Sequence, residues 1–377
     1  MTTNQLKKKI QDEGVKQALA VPYIVFEYST GVGKSLAAIR VIEQIEGDWY
    51  IVIAETNHQM NWIEEFKKHG KESLLSRVTF LCYQSLHKHK HGKYYVFDEI
   101  HHIQSERRLG ILEEIVDNGL QKLVGLSATL SRKQKQLLQD ILGTVQYHKV
   151  SLSEAIDTGI LPEPKVYMVG VELNTTEQKY EFKFSEDKVI KTTQQHWYKL
   201  QSDRIEYLKL RYFKSQQEWH KVKWLKAAND RKKFLSSCKT EHAKILLDSL
   251  KDKRFICFTG SIAQSEELSN GFSVHSGVSK NLRQEMITDF NTGKVDKLFV
   301  TGMLREGQNL NNIEAGVVIQ LDNNEKYYYQ TQGRVLRSLA PEFYILYVKN
   351  TQDEKYTQTV LENFNMEYVT YKDLKEF

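Results

Sequence analysis

Lys34 and Ser35 close the run YSTGVGKS, Tyr28 to Ser35, in which Gly31 and Gly33 alternate with small residues. A run of this kind can hold phosphate. Its glycines let backbone N–H groups turn onto phosphate oxygens, the lysine reaches the terminal phosphates, and the serine hydroxyl is a ligand for Mg²⁺. The strict pattern asks for glycine where this chain has Tyr28, so an ordinary glycine turn between strand and helix is the alternative. Further along, YYVFDEIHHI places Asp98 and Glu99 at the end of an apolar run. At the C-terminal edge of a parallel sheet such a pair has separable roles. Asp98 can hold Mg²⁺ through its water shell while Glu99 polarises an attacking water. A solvated strand-end acidic pair is the other reading, and a phosphate loop upstream in the same lobe favours the chemistry.

These residues work only if strands and helices bring them to one edge. YIVFE (Tyr23 to Glu27) precedes the loop as a strand. Ala38, Val41, Ile42 and Ile45 follow with helical period, so the loop ends at a helix N-terminus, which favours anions. WYIVIA, VTFLC, YYVFD and KLVGLSA continue the alternation of strand and helix up to Thr129. RFICFTG, FSVHSG, KLFVTG, GVVIQL and FYILYVK repeat it near the C-terminus. The fold class expected is α/β, with two parallel-sheet lobes in tandem and a mainly helical insertion between them. The boundaries read as 1–165 for the first lobe, 174–240 for the insertion, and 241–377 for the second lobe with a helical tail. GILPEPKVYMVGVEL, from Gly159 to Leu173, is read as the crossing linker.

With 377 residues, 40% of them hydrophobic, the chain can bury two cores. No apolar run approaches the ~20 residues of a membrane span, and MTTNQLKKKIQDEG lacks a secretory apolar stretch, so no membrane association and a cytoplasmic location are expected. Cys82, Cys238 and Cys257 are too scattered for a metal-ligand series and are read as reduced packing residues. HKHKHG, His87 to Gly92, is either a metal-binding run or a solvated loop, and the lack of neighbouring acidic or cysteine ligands favours the loop. The net charge of +5 is unevenly spread: Asn174 to Thr240 carries 16 Lys/Arg against 8 Asp/Glu, and three of the five tryptophans.

Taken in order, the motifs resemble those of superfamily 2 helicases and translocases. TGVGKS, Thr30 to Ser35, is similar to their nucleotide loop, in which the position of Tyr28 varies. DEIH (Asp98 to His101) resembles motif II, SAT (Ser127 to Thr129) motif III, Ile51 to Gly70 motif Ia, CYQSL (Cys82 to Leu86) motif Ib, FTGS (Phe258 to Ser261) motif IV, and VTGMLREGQNL (Val300 to Leu310) motif V. QTQGRVLR, Gln330 to Arg337, is similar to motif VI. Two departures stand out: Asn309 replaces an aspartate and Thr331 an arginine. Within the superfamily the chain looks most like the branch of phage recombination helicases, type III restriction translocases and excision-repair helicases.

The resemblance implies ATP and Mg²⁺ as cofactors. Thr30, Gly31, Val32, Gly33, Lys34, Ser35 and Gln5 would bind the nucleotide, with Ser35 and Asp98 holding the metal. Glu99, Asp98, Gln330, Arg334 and Arg337 would be catalytic, the arginines neutralising charge on the transferred phosphoryl group. Thr56, Tyr83, Gln84, Ser85, Gly260, Ser261 and Thr301 would contact a nucleic-acid backbone, while His101, Ser127, Thr129 and Gly307 would couple the two sites. The activity implied is that of an ATP-dependent helicase moving along one strand, on DNA in preference to RNA, in replication, recombination or repair. A double-strand translocase or nucleoprotein remodeller is the alternative, and a non-motor nucleic-acid-binding protein a second.

In the basic segment, Lys221, Lys223 and Lys226 alternate with Trp219 and Trp224. Cations can track phosphates and indoles can stack on bases. The same spacing suits a packed helical arm or a face that docks a replication or repair protein.

Overall fold

The computed structural model describes residues 2–56, 58–185, 188–302, 310, 312–321, 338, 340–361 and 365–377. The chain forms two compact units, one over residues 1–163 and one that begins at Pro164 and takes in residues 340–377.

The first unit runs α1 (Thr3–Ala20), β1 (Tyr23–Tyr28), α2 (Lys34–Gln44), β2 (Trp49–Ile53), α3 (His58–Lys68), β3 (Val78–Cys82), β4 (Tyr94–Phe97), α4 (Glu106–Asp117), β5 (Lys122–Ser127), α5 (Arg132–Leu142), β6 (Gln146–Val150) and α6 (Leu152–Asp157). Its sheet has the order β3-β2-β4-β5-β1-β6, with every pair parallel. The central strands read as continuous apolar runs because both their faces are buried. Val25, Tyr95, Phe97 and Leu123 pack with Ile111, Leu112 and Ile115 of α4 and with Leu138 and Leu142 of α5. Val25 and Phe97 are both level with Gly125, so β1, β5 and β4 end along one edge. That edge carries the glycine loop and the acidic pair. The sixth strand, β6, was not expected: QYHKV has a mixed pattern because it is an edge strand with partly exposed residues.

The second unit runs β7 (Lys165–Val171), β8 (Tyr180–Ser185), β9 (Lys188–Thr192), α7 (Gln194–Ser215), α8 (Glu218–Cys238), α9 (Thr240–Ser249), β10 (Phe255–Thr259), α10 (Ile262–Ser269), β11 (Ser273–Val274), α11 (Lys280–Asn291), β12 (Lys297–Thr301), β13 (Ala315–Val318), β14 (Glu342–Val348), α12 (Gln352–Leu361) and β15 (Val369–Lys372). A parallel seven-stranded sheet has the order β11-β12-β10-β13-β14-β7-β15. Two sequence expectations change here. The supposed linker contains β7, whose Val166, Met168, Val169 and Val171 are buried in this sheet between β14 and β15. The tail is not only helical, since β15 returns to pair with β7.

The insertion opens with the antiparallel hairpin β8–β9 and continues as the helical hairpin α7–α8. Its base is fixed to the sheet by apolar contact and by polar bonds. Phe234, Leu235 and Cys238 pack with Val171 and Val348, and the Tyr198 hydroxyl accepts the Gln352 N–H at 2.8 Å. Lys239, fully buried, donates to Asp353 Oδ2 at 2.5 Å and to the Leu346 carbonyl at 3.2 Å. A buried charge needs this full set of partners to be tolerated.

Candidate nucleotide-binding site

The loop between β1 and α2 is shaped by two left-handed glycines, Gly31 at φ 93° and Gly33 at φ 101°. A side chain at either position would be strained. Helix α2 begins at Lys34, so the N–H groups of its first turn have no acceptor within the helix and are available to an anion. Val32 is buried, while Thr30, Gly31, Gly33, Lys34 and Ser35 are partly exposed. The Lys34 ammonium donates to the Tyr28 carbonyl at 3.1 Å. Tyr28 itself is buried at the end of β1, and its hydroxyl and His148 Nδ1 lie 2.8 Å apart. Gly14 of α1 makes room for that hydroxyl. The residue that departs from the strict loop pattern is therefore part of the core beneath the loop.

The structure places Gln5 in the first turn of α1. Its side chain caps the start of α1, accepting the Thr2 N–H at 2.8 Å on an exposed surface. A second glutamine of α1, Gln11, is buried against the loop: its Nε2 donates to the Val32 carbonyl at 3.0 Å and lies against Gly33. Neither residue stood out by spacing alone.

Asp98 and Glu99 follow β4 at the same sheet edge. The Asp98 carboxyl is held above the usual carboxylate range, first by desolvation and then by the charge of Glu99; the Trp62 hydrogen bond, His58 and Lys34 act in the opposite direction. Trp62 Nε1 donates to Asp98 Oδ2 at 3.0 Å. Glu99 adopts the left-handed region, φ 50° and ψ 57°, and its Oε2 is 3.3 Å from His101 Nδ1. His101 Nδ1 also lies 3.3 Å from Ser127 Oγ, which donates to the Thr129 carbonyl at 2.8 Å. Glu99, His101, Ser127 and Thr129 thus form one polar chain from the acidic pair to the end of β5.

This set suits a nucleotide with its metal. A glycine cradle at a helix start offers donors to phosphates, and Ser29 Oγ in the same loop is buried with no hydrogen-bond partner among the described residues. A carboxyl whose proton affinity is raised by burial and by a neighbouring carboxylate, as that of Asp98 is, suits a divalent cation. Among the described residues no group of three His, Cys, Asp or Glu side chains could hold a metal. Ser35 and Asp98 are the side chains that would hold Mg²⁺, which supplies charge neutralisation on the phosphates when bound.

Of the residues expected to meet nucleic acid, Thr56 and Gln84 are exposed and Ser85 is partly so. Tyr83 is corrected: its side chain is buried, and its hydroxyl donates to the Asp98 carbonyl at 2.8 Å and the Glu99 carbonyl at 3.3 Å. In the second unit, Gly260, Ser261 and Thr301 come together at the ends of the adjacent strands β10 and β12. Thr301 Oγ1 donates to the Ser261 carbonyl at 3.2 Å, and Ser261 Oγ caps α10. Gln264 fixes this corner to the insertion: its Oε1 accepts from Gly260 N and Ser236 Oγ, and its Nε2 donates to the Ser236 carbonyl and Thr240 Oγ1.

On the helical hairpin the two tryptophans differ. Trp224 is partly buried across from Tyr212, with ring centroids 6.0 Å apart, and serves packing. Trp219 is 47% exposed, with Lys223 Nζ 4.5 Å from its ring centroid. Lys221 pairs with Glu218 at 3.1 Å, and Lys226 is exposed. Gly307, Gln330, Arg334 and Arg337 lie outside the described residues.

Comparison with known proteins adds two family matches. Residues 3–132 match the type III restriction enzyme res subunit, and residues 238–338 the helicase conserved C-terminal domain. No curated protein matches the chain. Among solved structures, S. cerevisiae Dbp5 bound to RNA and ADP BeF3 is 12% identical with a TM-score of 0.64, covering 98% of this chain and 90% of that one. The Pyrococcus furiosus Hef helicase domain is 14% identical with a TM-score of 0.53, covering 94% of this chain and 97% of its own. At these identities the likeness is one of fold: two tandem RecA-like lobes.

Proposed function

We propose, for a chain that belongs to the superfamily 2 helicases and translocases and hydrolyses ATP with Mg²⁺, that each ATP cycle moves it along one strand of DNA and separates the duplex ahead. The observation that carries the reading is the meeting of Lys34, Ser35, Asp98 and Glu99 at one sheet edge, joined through His101 to Ser127. Lys34 and the first turn of α2 orient the phosphates, and Glu99 takes a proton from the attacking water. We assign to Arg334 and Arg337 the neutralisation of charge developing on the transferred phosphoryl group, and to Gly307 a part in coupling.

Thr56, Gln84, Ser85, Gly260, Ser261 and Thr301 are the proposed contacts to the strand. Small hydroxyl and amide groups position a backbone without reading its sequence. Lys221, Lys223, Lys226 and Trp219 are the proposed contacts on the hairpin. DNA is favoured by the branch of the superfamily that the motifs resemble and by the restriction-enzyme match of the first unit. Replication, recombination or repair is the corresponding setting.

The test is strand displacement on DNA with 3′ or 5′ tails and on matching RNA, with ATP turnover measured alongside. Displacement of tailed DNA is expected. Displacement of RNA alone would reverse the substrate assignment, and ATP-driven protein displacement without unwinding would favour a duplex translocase.

A further inference from the structure

One hydroxyl is shared by the two carbonyls of the acidic pair. Tyr83 leaves the end of β3, two strands away from β4 in the sheet, and its hydroxyl lies 2.8 Å from the Asp98 carbonyl and 3.3 Å from that of Glu99. The ring is held rigidly. It packs on Phe97 and His102, with centroids 6.2 and 5.5 Å away, and the Arg108 guanidinium lies 5.2 Å from its centroid. Arg108 Nη1 in turn donates to the His102 carbonyl at 2.9 Å. The turn that Tyr83 holds includes Glu99 in the left-handed region, a conformation that a glutamate keeps only where the surroundings enforce it. Gln134 Nε2 grips the next turn from the α5 side, through the His101 carbonyl at 3.2 Å.

The next two residues after Tyr83 are Gln84 and Ser85, the first of them exposed. A strand pressed against this loop displaces the backbone to which the Tyr83 ring is attached, and a rigid ring transmits that displacement to the carbonyls of Asp98 and Glu99. We propose that Tyr83 is a positioning residue that ties nucleic-acid contact at Gln84 and Ser85 to the placement of the Glu99 carboxylate. The inference rests on the reading of this loop as a strand contact. It is separate from the His101–Ser127 chain, which reaches Glu99 through its side chain.

The test uses Tyr83→Phe in the full chain, which keeps the ring and removes the hydroxyl. Loss of the buried hydroxyl that links this loop to the turn of Glu99 is expected to lower the ratio of nucleic-acid-stimulated to unstimulated ATP turnover by about tenfold. The KM for ATP and the affinity for a labelled single-stranded oligonucleotide are expected to stay as they are. A packing role alone would lower the melting temperature and reduce both turnover rates in proportion, leaving the ratio intact, and that result overturns the inference. Arg108→Lys, which removes the planar cover of the ring, is expected to shift the ratio in the same direction. It decides the matter should Tyr83→Phe not fold. Gln84→Ala separates the two readings: unchanged oligonucleotide affinity in that variant removes the loop contact itself, whereas weakened affinity together with a full ratio in Tyr83→Phe removes only the coupling.

Discussion

The indole N–H of Trp62, on α3, donates to Oδ2 of Asp98, beyond β4, at 3.0 Å. Trp62 is only 3% exposed, so the bond fixes the rotation of the carboxylate in a place where water competes little. Donors of this kind to a metal-holding group commonly change metal affinity by roughly 10- to 100-fold. Trp62→Phe is therefore expected to raise by about tenfold the Mg²⁺ concentration that half-saturates binding of a fluorescent ATP analogue. Binding of the analogue without Mg²⁺ should not change. An unmoved Mg²⁺ midpoint would count against the role.

The loop and the acidic pair predict a separation of binding from turnover. Lys34→Ala should weaken ATP binding. Glu99→Gln keeps the shape of the site and removes the base, so ATP still binds while kcat drops by about 10²- to 10⁴-fold. Calorimetric titration with ATP and steady-state turnover together check both. Full turnover in Glu99→Gln would take the proton-accepting role from that residue.

Lys122 opens β5 with its buried ammonium on the carbonyls of Ala18 and Val21, at the C-terminal end of α1. Burial pulls its pKa from 10.5 down to about 8. Lys122→Met is expected to destabilise the first unit by roughly 1–3 kcal/mol, because two buried carbonyls lose their donor. The pH dependence has a definite sign. The folded value lies below the unfolded one, so between these pH values the unfolded chain binds more protons and the native state gains as pH rises. Denaturant unfolding across that window should show the unmutated chain gaining stability over the methionine variant. A constant difference would mean that Lys122 does not titrate there.

The helical hairpin predicts a contrast between its tryptophans. Trp219→Ala should weaken oligonucleotide binding by roughly 1–3 kcal/mol if the exposed ring stacks on a base, with little effect on folding. Trp224→Ala should instead lower the melting temperature, since that ring packs against Tyr212. Removing Lys221, Lys223 and Lys226 together should flatten the salt dependence by up to ~0.7 log units per lost contact on single strands and ~0.9 on duplex. Unchanged affinity and slope in a folded triple variant would leave the hairpin as an arm or a protein-docking face.

How much of this was legible before folding depended on how local each signal was. YSTGVGKS and DEIH announce their chemistry because loop shape, helix start and strand end are set by residues a few positions apart. The buried strands were equally readable, for Phe26 and Val96 sit in runs that only a sheet covered on both faces would bury. The edge strands β6 and β15 were not, since they leave residues exposed and lose the apolar run, whereas the edge strands β3 and β11 were read from VTFLC and FSVHSG. The flanking prolines made β7 look like a linker, although its place between β14 and β15 buries it.

The site was divided in the same way. Lys34, Ser35, Asp98 and Glu99 could be named from type and spacing, whereas Gln11, Trp62 and the inward turn of Tyr83 could not. Each of those three reaches its partner across 15 to 36 positions of chain. Which side chains meet over such separations is decided by strand order and by which face of a helix the core buries. The sequence by itself determined that phosphate, a divalent cation and a proton acceptor belong together. Only the tertiary structure decided that a glutamine from α1 supports the loop, that an indole orients Asp98, and that a tyrosine expected at a nucleic-acid surface holds the turn of Glu99. Side chains of these types are common in helices and strands, and only packing gives them particular partners.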